Sequence, residues 1–135
     1  MTAKRIEAVL RPASVAVVGA SDTPGSIGEV LCRNLREGGF RGPVFYVNPR
    51  HATIGDKPSY PDVRSLPQTV DVAIVATPPP TLPTVLEHCG ERGVRGAIIV
   101  SAGFREGGEA GAACESLMLQ VARRYGLRLL GPNSF

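Results

Sequence analysis

The chain has 135 residues, 43% of them apolar and 20% charged, and its 15 basic against 12 acidic side chains leave a net charge of +3. That length suits one domain spanning residues 1–135, and that composition excludes an intrinsically disordered chain. No apolar run reaches the ~18 residues of a membrane span, and the charged start through Lys4 and Arg5 is no signal peptide, so a membrane partner is not expected.

Five short apolar runs set the rhythm: residues 14–19, 43–47, 71–77, 95–101 and 127–130. The middle runs are continuous rather than alternating, as in strands buried on both faces of a parallel sheet. Between the first two, Ile27, Val30, Leu31, Asn34 and Leu35 recur at helical spacing, with Ser26 to cap the helix and Gly38-Gly39 to end it. The gap from 48 to 70 holds Pro49, Pro58, Pro61 and Pro67 and predicts only a short helix near 61–65. The next gap places Leu82, Val85, Leu86 and Cys89 on one face, with Gly90 as the stop. The last places Ala113, Leu117, Val121 and Tyr125 four apart, with Arg123-Arg124 near the C-terminal end and Gly126 beyond. Strand and helix alternate about every thirty residues, which predicts an open doubly wound parallel sheet, Rossmann-like, of about five strands in the order 3-2-1-4-5 with helices on both faces.

Ligands of such sheets bind at the carboxyl ends of the strands, where four segments converge. The first, residues 19–28, carries Gly19, Gly25 and Gly28 with the hydroxyls of Ser21, Thr23 and Ser26. Its G-x5-G-x2-G spacing is neither the dinucleotide fingerprint nor a Walker loop, yet small backbone and a helix N-terminus make a phosphate cradle. A plain strand-to-helix turn is the alternative. The second is Asn48-Pro49-Arg50, where a cation stands at the place of a ribose-binding acid and suits a phosphorylated ribose, as in NADP or coenzyme A; a solvated loop charge is the other reading. In the third, Thr77-Pro78-Pro79-Pro80, the prolines form either an extended wall beside a ligand or the start of a helix. The fourth is Ser101-Ala102-Gly103-Phe104, small residues with one covering ring or a simple turn. Asn133 follows at the same edge, in a structural role.

Chemistry beyond binding is not visible. His51 and His88 lie far apart, and no nucleophile elbow, zinc motif or carboxylate pair occurs, so neither a catalytic set nor a metal site is expected. Cys32, Cys89 and Cys114 show no CxxC pairing and read as small core residues of a cytoplasmic protein. Nucleic acid is not expected as a partner, because the basic excess is mild and aromatic residues are only 5%.

Residues 11–21, Pro24-Gly25-Ser26-Ile27-Gly28, Val47-Asn48-Pro49, Ser101-Ala102-Gly103-Phe104 and Leu130-Gly131-Pro132-Asn133 together resemble the N-terminal CoA-binding domain of ADP-forming acyl-CoA synthetases. The same domain occurs in the synthetase-like part of bacterial protein acetyltransferases, and the alpha subunit of succinyl-CoA synthetase is more distantly similar. The resemblance implies that residues 25–28 contact coenzyme A, with Ser21, Thr23 and Pro24 in the same loop. It implies that Arg50, where the family often has Lys, meets a coenzyme A phosphate beside Asn48 and Pro49. Thr77, Pro78, Pro79, Ser101, Ala102 and Gly103 would line the nucleotide and the thiol-bearing arm. Ser134 stands where the family commonly has Cys.

By the same resemblance the parent protein is a ligase making acyl-CoA, ADP and phosphate from an acid, ATP and CoA. This domain would then hold the thiol for attack on an acyl phosphate, with the phosphorylated histidine and ATP-grasp parts in downstream domains or a second subunit, so residues 1–135 alone should be inactive. An acyl-CoA-sensing domain of a protein lysine acetyltransferase is the alternative, and an NADP-binding oxidoreductase domain the third.

Overall fold

In the computed structural model the described residues are 11–100 and 108–131. The apolar runs become strands β1 (Val15–Val18), β2 (Val44–Val47), β5 (Val72–Val75), β6 (Gly96–Ile99) and β7 (Arg128–Leu130), and the gap from 48 to 70 adds two short strands, β3 (Thr53–Ile54) and β4 (Lys57–Tyr60). The helices are α1 (Ile27–Glu37), α2 (Leu82–Glu91) and α3 (Glu109–Tyr125). One seven-stranded sheet results, in the order β3-β4-β2-β1-β5-β6-β7, parallel except where β3 pairs with β4.

The doubly wound class holds, but the expected order 3-2-1-4-5 does not. The third apolar run, β5, pairs directly with β1 in the register Val15↔Val72, on the side away from β2. The cause is the proline-rich connection. It lacks a helix long enough to carry the chain over β2, so it turns at Gly55 and lays β4 beside β2 instead. Pro58 lacks an N–H and is confined to this outer part of the sheet. A single 3-10 turn at Val63–Ser65, capped by Asp62, then leads across to β5.

α1 covers one face, where Val17, Ala20, Cys32, Tyr46 and Ile54 form a small buried cluster. α2 and α3 cover the other over a much larger core that includes Ala73, Val75, Leu82, Leu86, Ile99 and Met118. The buried stripes differ in part from those expected. α1 buries Gly28 and Cys32, whereas Ile27 at its start is 53% exposed. α3 buries Gly111, Met118, Val121 and Ala122, leaving Leu117 half exposed and Ala113 exposed. Residues four apart advance about 400°, so a strict four-residue ladder drifts about 40° per step off any face.

Gly90 is not the stop of α2. The helix runs on to Glu91, and a Cβ at Gly90 would lie 2.2 Å from Cγ of Tyr125. This glycine lets α2 and α3 approach, and Tyr125 seals the contact by donating its hydroxyl hydrogen to Oε1 of Glu87 at 2.6 Å.

Candidate functional site

The strand-to-helix connection after β1 is held by its own polar groups. Gly19 takes a φ of +92° and turns the chain out of the sheet, while its N–H donates to the carbonyl of Val47 at 2.9 Å. Gly28 then comes so close that a Cβ would sit 2.1 Å from the Gly19 carbonyl oxygen. Only glycine at this position brings the first turn of α1 down onto the end of β1.

Ser26 caps α1. Its Oγ accepts from the N–H of Glu29 at 3.2 Å and donates to the carbonyl of Thr23 at 2.8 Å. Glu29 reaches back to accept from the Gly25 N–H at 3.2 Å, and Ser21 Oγ accepts from the Thr23 N–H at 3.0 Å. This is a capping box displaced by one residue; it satisfies free N–H groups of the first turn and sets a carboxylate against the positive end of the helix dipole. The Ser26 hydroxyl, expected to face a ligand, is thus engaged in the cap at both its donor and acceptor.

Asn48 ties this loop to the next. Its amide donates to the Ala20 carbonyl at 2.9 Å, and its Oδ1 accepts from the Arg50 N–H at 2.8 Å. Arg50 is exposed and forms no ion pair among the described residues. After β5 the two readings of the proline run are resolved in part. Pro78 alone is extended, with φ −58° and ψ 149°, while Pro79–Thr81 coil into a 3-10 turn that continues into α2. The run therefore starts the helix rather than forming a long straight wall. Thr81 Oγ1 closes this corner on Thr77 Oγ1 at 2.7 Å.

A cleft of about 170 Å³ opens where these connections meet, at the carboxyl ends of β1, β2 and β5. Pro49 and Thr77 line it with Gly19, Val18 and Val47. Ser21, Thr23, Pro24, Gly25, Ser26, Ile27 and Gly28 stand at the same edge without lining the cleft, as do Asn48, Arg50, Pro78 and Pro79. Ser101, Ala102, Gly103, Phe104, Asn133 and Ser134 lie outside the described residues. The sequence reading gave no role to Asp62, Val63, Val85 and His88, yet all four line the cleft. Thr81, Val85 and His88 recur at spacings of four and three, the signal of one helix face, and that face points at the strand ends.

The thiols fit a structural role. Cys32 and Cys89 are buried and Cys114 partly so, and all three are free. Burial pushes the Cys89 thiol up to about 12. Burial raises Cys32 as well, opposed by a hydrogen bond from the Ser21 backbone, and burial with the nearby Glu115 raises Cys114. None is an activated nucleophile, which needs a lowered value. No group of His, Cys, Asp and Glu among the described residues could hold a metal ion, and no helix among them is long and apolar enough to cross a membrane.

A parallel sheet with a glycine loop, a helix N-terminus and a cleft at its carboxyl edge defines the nucleotide-binding class of doubly wound domains. Within that class, residues 13–135 match the model of the CoA binding domain family, and the chain belongs to that family. It is 43% identical over 128 residues to acetate–CoA ligase [ADP-forming] I of Archaeoglobus fulgidus, covering 95% of this chain and 18% of the relative. It is 43% identical over 134 residues to the alpha subunit of acetate–CoA ligase [ADP-forming] I of Pyrococcus furiosus, covering 96% and 29%. Among solved structures, the dinucleotide forming acetyl-coenzyme A synthetase 1 of Ca. Korarchaeum cryptofilum in its apo form superposes with a TM-score of 0.86 at 38% identity, over 95% of this chain and 28% of that one. The chain thus spans less than a third of the length of these relatives.

Proposed function

We propose that this domain binds coenzyme A, or its acyl thioester, across the carboxyl edge of the sheet, as the CoA-binding part of an ADP-forming acyl-CoA synthetase. The observation that carries the reading is the convergence of residues 19–28, 48–50 and 77–79 on one edge, around a cleft floored by the ends of β1 and β2. The positive end of α1 is the place for the pyrophosphate. Arg50, exposed and without an ion pair among the described residues, would neutralise the 3′-phosphate. The half-exposed Ile27 offers an apolar contact at the loop's rim. The family resemblance assigns Ser101, Ala102 and Gly103, which lie outside the described residues, to the thiol-bearing arm.

In this reading the domain's work is to bind and orient. It presents the coenzyme thiol to an acyl phosphate formed elsewhere, and the histidine and ATP-handling parts belong to further domains or a second subunit, as the alpha-subunit relative supports. Three free thiols support a reducing, cytoplasmic setting.

Isothermal titration with CoA, 3′-dephospho-CoA and NADP tests the reading. Saturable heat with CoA, weakened when the 3′-phosphate is absent, is the expected result. Heat with NADP and none with CoA overturns it in favour of an oxidoreductase domain.

A further inference from the structure

At the opposite, amino edge of the sheet lies a groove of about 450 Å³, between the last turn of α1, the loop 38–43, and strands β2 and β4. It shares no lining residue with the carboxyl-edge cleft. One wall is apolar, made by Leu35, Phe40 and Pro43. Two cations, Arg36 and Lys57, line it from separate elements, and no carboxylate does. Neither cation forms an ion pair among the described residues, although Glu37 and Asp56 are their chain neighbours. Tyr46, only 2% exposed, also lines the groove, and its phenol interacts electrostatically with Arg36 and with Cys32.

We propose that this groove is a second binding site, one that takes a small carboxylic acid with an apolar body the size of a single ring. The volume falls within the range of about 300–1,000 Å³ usual for ligand sites and is too small to enclose a dinucleotide. Arg36 presents a planar fork that matches a carboxylate with two parallel hydrogen bonds, and Lys57 adds a point charge from the facing strand. The Leu35, Phe40 and Pro43 wall covers the apolar body, which a bare inorganic anion lacks.

Benzoate is the probe, with benzyl alcohol and inorganic phosphate as comparators, titrated into the 15N-labelled protein. The expected result is saturable movement of the amide signals of Leu35, Arg36, Tyr46 and Lys57 with benzoate alone. Arg36→Gln should weaken benzoate about tenfold and Lys57→Gln several-fold, with signal dispersion retained because both side chains are exposed. The site is refuted by any of three outcomes: no saturation by about 10 mM benzoate, equal movement with benzyl alcohol or phosphate, or movement centred on residues 19–28. No coenzyme enters the titration, so this result stands apart from that of the coenzyme reading.

Discussion

The two faces of the sheet are built to different standards. Beneath α2 and α3 lies a continuous core that runs from Ala16 and Val18 across β5 and β6 to Leu127. Beneath α1 the buried cluster holds five residues among those described, one of them a tyrosine and one a cysteine. Yet α1 carries the glycine loop, and its N-terminus stands at the carboxyl edge. The heavily packed face sets the stability of the whole, while the lightly packed face sets the position of one helix end. Loss of a core side chain and loss of a loop contact should therefore fail in different assays.

The largest separation is expected from Leu86→Ala. Leu86 is fully buried on the α2 side, so its truncation should remove about 2–5 kcal/mol of stability in urea unfolding, while the protein that remains folded binds CoA as before. A paired test uses two close-approach glycines. Gly90→Ala drives a methyl into Tyr125, and Gly28→Ala drives one into the Gly19 carbonyl. Each should cost about 1–3 kcal/mol in unfolding, but only Gly28→Ala should also weaken CoA in titration. Equal binding by the two variants would mean that the tight loop serves folding alone.

Arg50→Glu moves the comparison to the rim. It should leave unfolding unchanged and weaken CoA by about 1–3 kcal/mol, with most of the loss absent when 3′-dephospho-CoA is the ligand. The smallest effect at neutral pH belongs to Cys89. Its value rises from the ordinary 9.0 to about 12 on folding, so the unfolded chain gives up this proton first as pH rises. The stability tied to the neutral thiol is fully present below about 9 and is lost as the pH climbs toward 12. Urea unfolding across that window should decline less steeply in Cys89→Ala.

The strands and helices were legible because apolar runs and helical spacings report local burial. Ser26 read as a cap, and it is one. Strand order was not legible, because it turned on what the connection from 48 to 70 would do. Thr53–Ile54 and Lys57–Tyr60 are too short and too polar to announce strands, yet they fill the sheet edge beyond β2 and leave β5 to pair with β1. Gly90 misled for a related reason. A glycine near a helix end reads as a stop, and the need here came from Tyr125, thirty-five positions away. At the site, the loops could be read from their glycines and prolines. Asp62 could not, since it belongs to no motif and meets the cleft from the cap of the 3-10 turn, while His88 showed only as one position of a helix face whose target the sequence does not name.

The bond from Gly25 to Glu29 has a consequence for how the glycine loop meets a ligand. The loop carries its own resident anion. A carboxylate tethered one turn inside the helix already occupies the amide that an incoming phosphate would seek, and the loop keeps its shape without a guest. A phosphate that uses this amide evicts a tenant rather than filling an empty room. Little ordering entropy is then lost on association, while part of the electrostatic gain is spent on displacement. Position 29 thereby becomes a tuning point for affinity, one that never has to touch the ligand.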